Sequence, residues 1–188
     1  IGGESGVGKS RLMEELRTMA LVNGVMVVRG QSISDGNLLY GAWKDILRRM
    51  ILLTRVPDDE AAILKSVVPD IEGILGRDIP RAEAIDPLAT QIRLLNTVEA
   101  VFKRALSDTE QPMMLILEDL HWAESATLRL LEHLSATIKN QPLVIFGTYR
   151  DDSKPHLPDE LPSMASYRLG RLQEDAMIDL TVSIIGDN

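Results

Sequence analysis

Two hydrophobic rhythms alternate along this chain. Val25-Met26-Val27-Val28, Met113-Met114-Leu115-Ile116-Leu117 and Leu143-Val144-Ile145-Phe146 are short, nearly continuous apolar runs. Runs of this length and composition read as strands buried on both faces. Between them apolar residues recur at helical spacing. Residues 9–21 carry Leu12, Leu16, Met19 and Ala20 on one side, and Asn23-Gly24 stops the helix. Residues 30–36 read as loop. Residues 40–53 form a second helix with Trp43, Ile46, Leu47, Met50 and Ile51 on its apolar face.

The next stretch, 54–86, is less regular. Pro57-Asp58-Asp59 starts a helix that runs through Val67, and Pro69 stops it. This region reads as a helical insertion without assigned chemistry. A longer helix over 87–106 has Pro at its first turn and Leu88, Ile92, Leu95, Val98, Val101 and Phe102 in period. A helix over 126–137 separates the last two apolar runs. The third run continues through Gly147-Thr148-Tyr149 to Arg150, and a Pro-rich loop with one helical turn covers 151–162. A short strand at 167–169 and a helix over 173–185 complete the prediction.

Strands alternating with helices imply an α/β fold, a mostly parallel sheet covered on both faces. The 188 residues suit a single domain spanning 1–188. Ligands meet such sheets at the carboxyl ends of the strands. The polar punctuation agrees with that placement. Gly3-Glu4-Ser5-Gly6-Val7-Gly8-Lys9-Ser10 opens the first helix, Glu118-Asp119 ends the second apolar run, and Arg150 ends the third.

The first of these fits G-x-x-x-x-G-K-[ST], the Walker A phosphate loop. Glycines let the backbone curl around a polyphosphate so that N–H groups line the cradle, and the helix that follows favours an anion at its N-terminus. Gly3, Glu4, Ser5, Gly6, Val7, Gly8, Lys9, Ser10 and the neighbouring Arg11 are the nucleotide-binding candidates. Lys9 is expected on the β/γ-phosphates and the Ser10 hydroxyl on Mg²⁺. Glu118-Asp119 matches Walker B: one acid holds Mg²⁺ and one orients the attacking water. The metal candidates are therefore Ser10, Glu118 and Asp119, and the catalytic candidates are Asp119, Glu118 and Arg150. Arg150 offers a fixed cation to charge developing on the γ-phosphate. The competing reading pairs it with Asp151 or Asp152 at the surface.

Charge and composition remove other classes. The chain has no Cys, which excludes disulfides, thiolate zinc sites and a Cys nucleophile, and is compatible with the cytoplasm. No apolar run approaches membrane-span length. The net charge of −8 argues against nonspecific nucleic-acid binding. His133 and His156 lack metal-ligand spacing. His121 is expected to hydrogen-bond nearby backbone, and Trp122 to pack beneath the loop as an anchor. Tyr40 and Trp43, together with Met13, Met19, Met26, Met50, Met113 and Met114, are expected in the core.

Leu117-Glu118-Asp119-Leu120-His121-Trp122-Ala123-Glu124 is similar to the LEDLHWAD signature of STAND-type signalling ATPases. These are relatives of the AAA+ proteins and are also described as origin-recognition-like AAA ATPase domains. Gly8-Lys9-Ser10-Arg11-Leu12, Gln91-Ile92-Arg93-Leu94-Leu95 and Gly147-Thr148-Tyr149-Arg150 support the likeness, which covers nearly the whole chain. The resemblance implies a three-layer P-loop fold with a five-stranded sheet in the order 5-1-4-3-2. It makes ATP and Mg²⁺ the cofactors and Arg150 a sensor beside the γ-phosphate. It gives Glu118 the metal side and Asp119 the water. AAA+ proteins usually have Asp then Glu, so the pair here is reversed, and Glu124 stands where Asp is usual.

Such domains occur beside adenylate cyclase domains, in LuxR-like transcription regulators and in kinase fusions. The resemblance therefore implies a regulatory ATPase whose partners are other domains of a parent chain, with self-association of that parent as a further class. Only Ile1 and Gly2 precede the loop, so a fragment is expected, with its first strand nearly missing and the lid and output domains elsewhere. Three alternatives compete. The first is a nucleotide-binding scaffold with little turnover. The second is an origin-recognition-like DNA-associated ATPase. The third is a small-molecule kinase, disfavoured because residues 151–188 hold only Arg168 and Arg171 for a lid.

Overall fold

The computed structural model describes residues 1–34, 39–83 and 85–171. Its centre is a three-stranded parallel sheet in the order β1-β2-β3, formed by Met26–Gln31, Met113–Glu118 and Leu143–Gly147. Met113 pairs with Met26 on one side and with Leu143 on the other. All six residues of the central strand β2 are buried, as its unbroken apolar run demands. The flanking strands are only partly covered, and Val144 is exposed.

Side chains alternate across the sheet. Met113, Leu115 and Leu117 face the larger core, built with α2 (Lys44–Leu53), α3 (Asp58–Leu64), α5 (Pro87–Thr109) and α6 (Ser125–Thr137). Met114 and Ile116 face α1 (Lys9–Val22), where they pack with Met13 and Ala20. This period places Glu118, the next in the Met114-Ile116 series, on the α1 side.

Trp43 anchors the larger core. It is fully buried, its Nε1 donates to the Thr127 carbonyl at 3.3 Å, and its ring meets Phe102 edge-on with centroids 6.4 Å apart. Tyr40, Met13, Met50, Met113 and Met114 are core residues as expected. Met19 is not. It lies 61% exposed on the outer side of α1, because Met13 and Ala20 take the inward positions.

Helix α5 begins where the sequence places it. The Asp86 side chain accepts from the Leu88 and Ala89 N–H groups at 3.0 Å, and Pro87 needs no partner at the first position. Its apolar stripe starts late, since Leu88 and Ile92 are exposed while Leu94, Val98, Val101, Phe102, Ala105 and Leu106 are buried. The helix is about 35 Å long against strands of about 20 Å, so its first turns overhang the sheet.

The structure corrects the prediction in other places. Strand β1 continues through Gly30 and Gln31, which had read as the start of a loop. Tyr40 has φ 64, and a 3-10 turn, Gly41–Trp43, leads into α2 instead of a continuous helix from residue 40. The insertion contains a second short helix, α4 (Ile71–Leu75), ended by Gly76 at φ 64. The strand expected at 167–169 is a single parallel bridge between Gly2 and Arg168. The one helical turn expected within 151–162 is a 3-10 turn, Leu157–Glu160. The helix expected over 173–185 lies outside the described residues.

Gly30 explains why β1 can run so close to the second helix. A Cβ there would lie 2.0 Å from the Ala42 carbonyl oxygen and 2.7 Å from Ile46 Cδ1. Backbone cannot move aside as a side chain can. Gly30→Ala is therefore expected to cost about 1–3 kcal/mol of stability, read as a lower urea midpoint with an unchanged slope.

Candidate active site

Loop, acid pair and arginine occupy one edge of the sheet. The loop reaches its shape through Gly6 at φ 81 and Gly8 at φ 102, conformations that an L side chain resists. Gly8 is also the residue before the first turn of α1, and its carbonyl accepts from Leu12 N–H at 2.9 Å. The Lys9 ammonium bends back into the loop mouth and donates to the Gly3 and Glu4 carbonyls at 2.6 and 2.7 Å. Ser10 is exposed on the first helical turn. Arg11 is not drawn into the site; its Nε pairs with Glu15 at 2.9 Å along the exposed flank of α1.

The turn after β2 is unusual. Asp119 stands in the left-handed region at φ 56 and ψ 40, which Asp tolerates better than most residues. Thr148, just past β3, holds this turn at three points. Its N–H donates to the Leu117 carbonyl at 2.9 Å, its carbonyl accepts from Leu120 N–H at 2.8 Å, and its Oγ1 accepts from Asp119 N–H at 3.3 Å. A 3-10 turn, Leu120–Trp122, follows.

Both acids are held from β1. Arg29 Nε donates to Glu118 Oε2, and Gln31 Nε2 donates to Asp119 Oδ2 at 2.8 Å. Sequence reading missed both contacts because they join residues 88 and 89 positions apart. A signal was present: Val27, Arg29 and Gln31 continue the period-2 alternation of a strand past the point where the apolar run stops.

Arg150 is set beside the loop through its neighbours. Tyr149 N–H donates to the Ile1 carbonyl at 3.1 Å, and a Cβ on Gly2 would strike the Tyr149 ring at 2.6 Å. The surface pairing of the competing reading is not found among the described residues. Asp151 goes to Arg168 at 2.7 Å, and among the described residues Arg150 has no ion-pair partner.

His121 feels several of these charges. Burial lowers its pKa, Asp119 raises it, Arg150 and Lys9 lower it, and Asp152 raises it. Nδ1 lies 4.0 Å from Asp119 Oδ1. Its side chain is 1% exposed, and neither ring nitrogen has a hydrogen-bond partner among the described residues. The expected bond to backbone is therefore absent. Trp122, expected beneath the loop, is 49% exposed with its ring 5.0 Å from that of His121. The 3-10 turn places successive side chains on different sides, so burying Leu120 and His121 leaves Trp122 outward.

The lowered pKa has a consequence for stability. The unfolded chain binds a proton at the ordinary histidine value of about 6.5, and the folded chain only below that. Stability of the nucleotide-free chain is therefore expected to fall as pH drops from about 6.5 toward the folded pKa. His121→Phe should lose less melting temperature than the wild type between about pH 7.5 and 5.5. Equal losses would show that this ring does not titrate as described.

A cleft of about 440 Å³ beside the loop is lined by Glu4, Asp151, Asp152 and Arg168 among others. Arg168 neutralises Asp151 and Arg171 neutralises Glu4. Its remaining acid, Asp152, disfavours a polyphosphate there.

A glycine loop opening into a helix at the carboxyl edge of a parallel sheet, with an acid pair on the adjoining turn, defines a P-loop nucleotide-binding domain. The chain matches the model of the AAA ATPase domain over residues 1–146, and it belongs to that family of P-loop ATPases. The match includes the loop and the acid pair and stops before Arg150. No curated protein matches the chain, and no solved structure does. No helix among the described residues is long and apolar enough to cross a membrane.

Proposed function

We propose that this chain binds ATP with Mg²⁺ on the loop and hydrolyses it as a regulatory module of a multidomain signalling or transcription-regulating protein. The observation that carries the reading is the build of the loop and the acid pair: Gly6 and Gly8 curl the backbone into the first turn of α1, Lys9 bends into the loop mouth, and Glu118-Asp119 end the central strand β2. The STAND-like signature around Glu118-Asp119 supports the regulatory role, and the absence of Cys suits the cytoplasm.

The donor set suits the metal. Ser10, Glu118 and Asp119 offer hard oxygens, the chemistry that Mg²⁺ takes. Bound there, Mg²⁺ would offset charge on the β/γ oxygens. In this reading Lys9 neutralises the same phosphates from the loop side. Asp119 accepts a proton from the attacking water, with Gln31 and Thr148 holding its turn. Arg150 stabilises the charge that develops on the γ-phosphate.

The five-stranded order 5-1-4-3-2 belongs to the same reading. Its support is the hydrogen bonding of Ile1 and Gly2. Ile1 bonds to Gly147 and Tyr149 on the β3 side, and Gly2 bonds to Tyr167 and Leu169 on the other. An apolar cavity of about 310 Å³ lies along β3 in that position.

ATP titration of the wild type and Lys9→Ala tests the assignment. The variant is expected to bind at least about tenfold more weakly, since a charge-assisted phosphate contact is lost. Equal affinity would reject nucleotide binding at this loop.

A further inference from the structure

Glu118 is 4% exposed. A carboxylate taken out of water needs a cation or several hydrogen bonds. Among the described residues its cation is neither Lys9 nor Arg150 but Arg29, from the neighbouring strand. The two partners differ in freedom. Half of the Arg29 side chain is in solvent, against 5% of the Glu118 side chain. Arg29 can swing into water with little loss of hydration, whereas Glu118 is fixed at the end of the buried strand β2.

We propose that Arg29 is the resident counter-ion of Glu118 and gives up this carboxylate when Mg²⁺ enters with a nucleotide. The inference rests on the nucleotide-binding reading above. One guanidinium–carboxylate contact breaks as the Arg29 side chain swings into solvent and leaves Glu118 to the metal, so the buried carboxylate is balanced in both states. The residue that sets the metal requirement is then on β1, outside both Walker motifs. Gln31, two residues on along the same strand face, holds Asp119 and is not displaced in this exchange.

The test uses the full chain at constant ionic strength, with wild type, Arg29→Gln, Arg29→Lys and Lys9→Ala. Melting temperature is followed against MgCl₂ without nucleotide, and ATP affinity is measured in EDTA and across the same MgCl₂ series. Arg29→Gln is expected to melt lower than wild type in EDTA and to gain more from Mg²⁺. Its half-saturating Mg²⁺ should fall roughly three- to tenfold, because no built-in cation competes. Arg29→Lys should fall between the two. If Arg29→Gln does not fold, the Arg29→Lys series decides alone.

Wild-type Mg²⁺ dependence in the folded variants would overturn the proposal. So would weaker ATP binding in EDTA, which would make Arg29 a phosphate ligand. Undiminished ATP binding by Lys9→Ala would reject the nucleotide reading itself. Lys9-dependent binding with an unchanged Mg²⁺ response would reject only the role of Arg29.

Discussion

Asp119→Asn is expected to lower ATP turnover by on the order of 10²–10³-fold while leaving ATP affinity within a few-fold. Asn has the same shape, tolerates the left-handed region, and keeps an oxygen for the Gln31 amide. What it lacks is the basicity to take a proton from water. Single-turnover hydrolysis separates this loss from product release. Turnover within threefold of wild type would move the proton-accepting role away from Asp119. It would favour the scaffold reading if Glu118→Gln were equally silent. The reversed acid order makes the comparison informative, because Asp119 is one methylene shorter than the Glu usual at that place in AAA+ proteins. The left-handed turn clasped by Thr148 is the feature that fixes where the shorter side chain starts.

Trp43→Ala is expected to have the largest effect on stability, about 3–5 kcal/mol, seen as an early denaturation midpoint. The residue is fully buried between α6 and Phe102 of α5, and its Nε1–H bond to Thr127 is lost with it. ATP affinity of the folded fraction should be unchanged, since the ring fills core. A loss of affinity at full folding would instead assign Trp43 to the nucleotide base.

These two residues mark what could be read before folding. Trp43 was legible because helical spacing places it with Ile46, Leu47, Met50 and Ile51, and the same stripe is buried. The loop was legible because its glycines and Lys9 sit in a fixed local pattern, and the acid pair because it ends an apolar strand. Contacts made across the sheet were not. Arg29 and Gln31 depend on the register of β1 against β2, which aligns Gln31 with Glu118 and which local spacing does not contain. Trp122 misled because a large aromatic ring beside a strand end is usually buried, whereas the 3-10 turn spends its buried positions on Leu120 and His121. Gly30 looked like the start of a loop, and its reason is a carbonyl that arrives from the next element.

Thr148 joins two things that the sequence keeps 31 residues apart. Its three bonds to the turn after β2 bind the backbone of Asp119 to the strand end that carries Arg150. Those two side chains therefore start from one stiff block. Lys9 starts from another element, and its ammonium bonds to carbonyls of its own loop. On the proposed nucleotide-binding reading, acid and arginine therefore behave as a single part whose internal spacing is set by Thr148 before any ligand arrives.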